Sequence, residues 1–471
     1  MNELVQMSAR SVVDLLKKKE VTPLELVEIS AERILETDDK VNAIPTRCFD
    51  RAREHAKRIM EGGDGESGPG RLCGLPLAIK DLDDVAGVRT THGSPIFADN
   101  VPEKSGYVVE RLESNGGIVV GKSNTPEFGS GSTTFNEVFG TTVNPWDTSK
   151  TCGGSSGGAA AALAAGQVWM AQGTDFGGSV RIPASYCSVV GLRPSPGRVA
   201  TGPDSLPFAS LSVRGPMART VGDTALMLDA MAGMHPRDPR SLPLPERPFT
   251  DAVDHPKTPK KIAFTPDLGL APVDHEVVDI CREAALSFQT FGCRVEEDCP
   301  DFENAVDVFQ TLRAVNYASR MAPLLEKYRN LLKPEVIWNI EKSFDLSSHD
   351  IAAAERSRGL LFHRVAEFFD DYDLLMTPTV VAPAFSKELR YLEEVEGVKF
   401  DSYIGWLVMT FVITLTACPA ISIPCGFTKS GLPVGLQIVG RNRAEADVLS
   451  GAALFEAEHP QFFATPVDPR P

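Results

Sequence analysis

Two glycine–serine clusters hold the residues best suited to chemistry: Gly153-Gly-Ser-Ser-Gly-Gly158 and, after an alanine-rich stretch, Asp175-Phe-Gly-Gly-Ser-Val-Arg181. Glycines flanking a serine open backbone conformations closed to other residues and leave amide N–H groups uncovered. Uncovered N–H groups beside a hydroxyl suit acyl transfer, because they hold the oxyanion formed when a hydroxyl attacks a carbonyl. A flexible linker of similar composition would not run into the helix-forming alanines of 159–165 and then a second ordered glycine pair.

Three patterns compete for a mechanism. Gly116-Gly-Ile-Val-Val-Gly-Lys-Ser123 satisfies the phosphate-loop spacing, but its Ile-Val-Val core reads as a strand lying inside the pattern, whereas a phosphate loop follows its strand. Two overlapping frames starting at Gly153 and Gly154 fit the nucleophile elbow G-x-S-x-G. That reading needs an Asp and a His downstream, and His235, His255, His275, His349, His363 and His459 sit in polar or helical contexts without site character. The third pattern uses no histidine. Lys80 closes the apolar run Leu75-Pro-Leu-Ala-Ile-Lys80; burial disfavours an ammonium and turns lysine into a usable base. A neutral lysine can deprotonate one serine, which deprotonates another. The competing reading of Lys80 is a snorkelling lysine paired with Asp81 or Asp83.

The elements that must position these residues alternate strand and helix. Segments 8–20 and 22–36 read as amphipathic helices. The second has Thr22 as N-cap, Pro23 at N1, Glu25 at N3 and a Val21/Leu26 staple. Residues 62–70 read as a glycine-rich surface loop. Strands are expected over 72–80, 118–120 and 168–172, with a helix between Gly158 and Gly166. The Pro- and charge-rich segment 235–261 reads as a surface crossing. Segments 261–265, 274–289 and 293–297 read as a βαβ unit, 302–369 as helical, and 373–377, 420–424 and 435–439 as short buried strands. No long linker divides the chain. The expected fold is therefore α/β: one large domain with a central mixed sheet flanked by helices. Within it, 1–70 holds N-terminal helices, 71–230 a glycine–serine core, 231–262 the Pro-rich crossing and 263–471 the rest of the sheet and helices.

Bulk properties narrow the function. A net charge of −16 argues against nucleic acid as a partner. The nine cysteines lack C-x-x-C pairs and metal-ligand spacing, and several lie in apolar runs, as expected in a reducing cytoplasm. The start Met-Asn-Glu-Leu-Val-Gln shows no secretory pattern, and the apolar run 406–417 is too short to span a membrane. The expectation is a cytoplasmic protein with no membrane partner.

Taken in order, the motifs resemble the amidase signature family, serine hydrolases with a Ser–cis-Ser–Lys triad. Gly74-Leu-Pro-Leu-Ala-Ile-Lys-Asp81 is similar to the family's lysine segment, Gly153-Gly-Ser-Ser-Gly-Gly158 to its Gly-Ser core, and Gly177-Gly-Ser-Val-Arg-Ile-Pro183 to its nucleophile segment. The likeness continues through Cys187-Ser-Val-Val-Gly-Leu-Arg-Pro194, Tyr372-Asp-Leu-Leu-Met-Thr-Pro-Thr379, Cys418-Pro-Ala-Ile-Ser-Ile-Pro-Cys-Gly-Phe427 and Gly431-Leu-Pro-Val-Gly-Leu-Gln-Ile-Val-Gly440. The resemblance implies Lys80 as base, Ser155 as bridging serine on a cis peptide and Ser179 as nucleophile. The interval between the two serines selects Ser155 over Ser156. Backbone N–H groups of Phe176, Gly177, Gly178 and Ser179 would hold the oxyanion, with Ser156 supporting the lysine and Asp175 and Arg181 bracing the loop. No metal or organic cofactor is implied.

Within that family the alternatives are a stand-alone amidase, the glutaminase component of a tRNA-dependent amidotransferase, and a non-catalytic binding protein of the same fold. The glutaminase's glutamine-binding aspartate falls near Leu407 here, an apolar residue unable to hold an α-ammonium group. The expected partner is a small-molecule amide: an aryl or alkyl amide, a nylon-type amide or a carbamate. Phe135, Phe139, Trp146, Phe176 and Trp406 are candidates for an apolar pocket, and 121–134 is expected near the site. A homodimer is one assembly compatible with this reading.

Overall fold

The computed structural model describes residues 1–62 and 68–471. Most of the expected glycine-rich loop over 62–70 lies outside them. Eleven strands among the described residues form one mixed sheet. In chain order they are β1 (Thr46–Arg47), β2 (Pro76–Lys80), β3 (Ile118–Ser123), β4 (Met170–Asp175), β5 (Val190–Arg193) and β6 (Val213–Ala218). They continue as β7 (Lys261–Phe264), β8 (Arg294–Glu297), β9 (Leu374–Pro378), β10 (Ala420–Phe427) and β11 (Pro433–Gly440). Across the sheet the order is β1-β3-β2-β4-β6-β5-β10-β11-β9-β7-β8. The strands β3, β2 and β4 run parallel, as do β9, β7 and β8. Antiparallel pairing from β4 through β6, β5, β10 and β11 to β9 joins the two parallel groups.

Most central strands are near-continuous apolar or small-residue runs because helices cover both faces of the sheet. Every residue of β2, β3 and β4 is buried. The helix Gly157–Ala164 is buried throughout. Its glycines permit close approach: a Cβ on Gly158 would stand 2.3 Å from the Asn124 backbone nitrogen. The capping box of the helix Pro23–Val41 is present, with Thr22 and Glu25 bonded reciprocally.

Several boundaries differ from the sequence reading. That helix runs to Val41, beyond the expected end at 36, because Ile34 and Val41 still pack into the core. The N-terminal region is not only helical: β1 pairs with β3, followed by the unexpected helix Phe49–Met60. The strand expected from residue 72 begins at Pro76. The crossing over 231–262 contains a short helix, Phe249–Asp254, anchored by buried Phe249 and by the Asp229 carboxylate, which accepts from Phe249 N and Thr250 N. The βαβ unit is found as expected, with Asp274 capping the helix His275–Ser287 and β7 parallel to β8.

Candidate active site

The parallel strands β2 and β4 end side by side, with Ile79 opposite Gln172. Lys80 is the last residue of β2 and Asp175 the last of β4. The carboxyl end of parallel strands is where α/β folds place ligand sites, because the following loops diverge there. Here those loops carry Ser179 and lie beside the Gly153–Gly158 turn. Ser156 N donates to Ser179 O at 3.0 Å, tying the two clusters together. The Gly154–Ser155 peptide is cis.

Lys80 is fully buried and does not snorkel. Its Nζ lies 2.7 Å from Ser155 Oγ, 2.9 Å from Ser156 Oγ and 2.9 Å from Thr174 Oγ1. Burial pushes the ammonium well below the ordinary lysine value of 10.5, against the opposing pull of Asp83 and Asp175. Neither expected carboxylate partner is available to it. Asp81 pairs with Lys122 at 3.1 Å, and Asp83 pairs with Arg214 at 2.8 Å. The Lys-Ser of the phosphate-loop pattern is likewise accounted for: Lys122 and Ser123 lie inside strand β3. Thr174, a third hydroxyl on Lys80, belongs to none of the sequence motifs. Its one signal is its position a residue before the end of β4, on the strand next to Lys80.

Asp175 organises the serine loop. Its Oδ1 accepts from Gly178 N at 3.0 Å and pairs with Arg181 at 2.9 Å and Arg193 at 3.0 Å, while its Oδ2 accepts from Val180 N at 3.2 Å and Arg181 Nε at 3.0 Å. Burial alone would raise this carboxyl, but the two guanidinium groups outweigh it and hold the acid far below its ordinary range. Arg181 reaches onward to Thr410 O at 3.0 Å and Gln437 Oε1 at 2.6 Å, and is itself fully buried. Gly178 has φ +113°, and a Cβ there would stand 2.2 Å from Thr410 Oγ1.

This network changes one expectation. Gly178 N–H is spent on Asp175 and is not free for an oxyanion. The N–H groups of Phe176, Gly177 and Ser179 have no acceptor among the described residues, and these three residues, not Gly178, line the cavities at the site.

Ser179 is 7% exposed, and it opens onto a cavity of about 460 Å³ shared with Ser155, Thr174 and Phe176. Its walls include Phe97, Phe128, Tyr317, Met321 and Leu324, with Asp204, Arg214 and Arg320 among the polar lining residues. The volume suits a small-molecule ligand. A smaller cavity of about 30 Å³ adjoins Ser179 on the side of Gly177, Arg313 and Leu407.

Of the five aromatics expected in the pocket, only Phe176 lines it. Phe135 lies beneath Lys333 and Arg390, Phe139 beneath Arg89. Trp146 packs against Phe427 and donates to Cys187 O at 3.0 Å, while Trp406 is buried and donates to Tyr403 O at 3.2 Å. Phe97, Phe128 and Tyr317 take their place, with His92 edge-on to Phe97 at 5.2 Å. Phe128 and Gly129 do fall in the segment 121–134 expected near the site. Burial lowers the His92 imidazole below its ordinary value. The later histidines, from His235 on, do not line this cavity.

Comparison with known proteins is consistent across sequence and structure. The Amidase family model matches residues 25–449. An acylamidase from Rhodococcus erythropolis is 36% identical over 98% of this chain and 97% of its own. The glutamyl-tRNA(Gln) amidotransferase A-type subunit of Moorella thermoacetica is 35% identical over 96% of this chain and 97% of its own. The crystal structure of a bacterial aryl acylamidase superposes with a TM-score of 0.90 at 31% identity, covering 98% of this chain and 99% of that one. The chain belongs to the amidase signature family and is an amide-hydrolysing enzyme.

Proposed function

We propose that this protein is a stand-alone acylamidase that cleaves small aryl or alkyl amides through an acyl-enzyme on Ser179. The observation that carries the reading is the cluster at Lys80. A fully buried lysine nitrogen has three hydroxyl partners, two of which, Ser155 and Thr174, share a substrate-sized cavity with Ser179. An ammonium donates to all three. A neutral amine donates to two and accepts from the third, so it can receive the Ser155 proton.

In the forward step Ser179 Oγ attacks the amide carbonyl carbon, its proton passes to Ser155 Oγ, and the Ser155 proton passes to Lys80 Nζ. The tetrahedral oxyanion is held by the N–H groups of Phe176, Gly177 and Ser179; each such donor supplies about 3 kcal/mol. The Ser155 hydroxyl then gives its proton to the departing nitrogen and recovers one from Lys80. The C–N bond breaks and the amine leaves. Water attacks the Ser179 ester by the same relay and releases the carboxylic acid. Protonation of nitrogen matters for amides, because an amine anion is a poor leaving group.

The glutaminase component of an amidotransferase is the second reading. Identity does not separate the two, at 36% against 35%. The stand-alone reading is supported by Leu407, which lines the small cavity beside Ser179 and offers no charge to an α-ammonium group. The aromatic walls of the larger cavity support an aryl or alkyl occupant. The test is turnover of p-nitroacetanilide, aliphatic amides and glutamine by the purified chain. We expect the anilide to be cleaved, and Ser179→Ala to lower kcat by about 10⁴-fold or more. Unchanged turnover in that variant would overturn the mechanism. Glutamine cleavage that appears only with copurifying protein chains would favour the amidotransferase.

A further inference from the structure

We infer that the small cavity beside Ser179 is a carboxylate-binding subsite, in which Arg313 pairs with a carboxylate on the short arm of the substrate. The placement rests on the amide-hydrolysis reading; the charge argument does not. Arg313 is 4% exposed, and a guanidinium keeps its charge in a protein. Its hydrogen-bond partners are the neutral Asn339 Oδ1, Tyr403 OH and, at 3.3 Å, Tyr317 OH. No ion pair among the described residues includes it. The arginines of the larger cavity and of the serine loop differ: Arg214 has Asp83, Arg320 has Asp204, and Arg181 and Arg193 share Asp175. Glu335, one turn before Asn339, is committed to Arg390 at 2.8 Å.

A buried charge with no counter-charge is costly. The rings of Tyr317 and Tyr403, 4.7 Å and 5.2 Å from the guanidinium carbon, soften that cost without cancelling the charge. A ligand carboxylate would cancel it. The cavity reaches from Arg313 to Ser179 and Gly177 and holds about 30 Å³, room for a short anionic arm but not for an aryl group, which the larger cavity accommodates. The carboxylate can come from the acyl half or the amine half of the amide, and two substrate series separate these sources.

In one series malonic and succinic monoanilides are compared with their methyl esters; in the other, N-benzoylglycine and N-benzoyl-β-alanine are compared with their primary amides. We expect the carboxylate form to be favoured in kcat/KM by at least about 30-fold in one series. The preference should collapse in Arg313→Gln and be partly kept in Arg313→Lys. Succinate should inhibit the wild-type enzyme competitively and raise its melting temperature, with neither effect in Arg313→Gln. A wild-type enzyme that cleaves neutral anilides with no carboxylate preference in either series would overturn the inference and leave the amidase reading standing. So would a preference undiminished in Arg313→Gln. If no anilide is cleaved, the functional reading fails, and succinate binding to the wild type still decides the subsite. These wild-type measurements stand even if the variants do not fold.

Discussion

At the scale of single residues, the proposed base is a lysine to which the fold denies both solvent exposure and a carboxylate partner. Asp81 and Asp83, the adjacent acids, are turned to Lys122 and Arg214, leaving Lys80 with three hydroxyls. The sign of the pH dependence follows. In the proposed mechanism Lys80 acts when neutral, so kcat/KM should rise with pH as its proton is lost, and its depressed pKa puts that rise below the ordinary 10.5. Thr174 Oγ1 accepts from Lys80 at 2.9 Å, an interaction that favours the ammonium. Thr174→Val removes it, so the acid limb should move to lower pH while kcat falls by roughly 10-fold for the lost positioning hydrogen bond. A pH profile of kcat/KM for both proteins checks this; a limb that stays put or moves to higher pH would contradict a Thr174 hydrogen bond that favours the ammonium. That Lys80, Ser155 and Ser179 belong to one candidate site is legible in the sequence because their flanking motifs are local. Thr174 is not, because its part depends on which strand lies beside β2, a pairing that no local pattern states.

At the scale of elements, the serine loop is held by one carboxylate. Asp175 collects two backbone N–H groups and two guanidinium groups in a site without solvent. Asp175→Asn leaves Arg181 and Arg193 buried and unpaired, and should destabilise the protein by about 3–5 kcal/mol, measured by urea unfolding. Because the acid is held below its ordinary 3.8, its contribution is fully present above that pH and is lost only as pH falls toward the depressed value. The deficit of the variant should therefore be constant from about pH 5 to 8 and shrink in strong acid. A deficit that vanishes already at about pH 5 would contradict the network. Elements with strong periodicity or caps, such as Pro23–Val41 and His275–Ser287, are readable from sequence. The helix Phe49–Met60 is not, since Cys48 supplies no side-chain cap to announce it. The commitment of Gly178 N–H is equally hidden, because a glycine-rich loop reads as free donors until its carboxylate partner is placed.

At the scale of the whole molecule, the candidate substrate cavity is where distant parts of the chain meet. Lys80, Ser155 and Ser179 come from the first half of the chain. Tyr317, Met321 and Leu324 come from the helix Ala305–Tyr328, which follows β8 at the far edge of the sheet. The proposed catalytic residues therefore lie in contiguous motifs, while the cavity walls do not: Phe97, Phe128 and Tyr317 share no local spacing, and only long-range packing brings them together. Phe135, Phe139, Trp146 and Trp406 have suitable side chains in the wrong places. The central claim is that Ser179, not a member of the Ser155–Ser156 pair, is the nucleophile served by this assembly. Labelling the native enzyme with a fluorophosphonate and mapping the modified peptide by mass spectrometry tests it most directly. We expect the label on Ser179, with labelling lost in Ser179→Ala and strongly slowed in Lys80→Ala; a label on Ser156 that persists in Ser179→Ala would contradict the claim and restore the nucleophile-elbow reading.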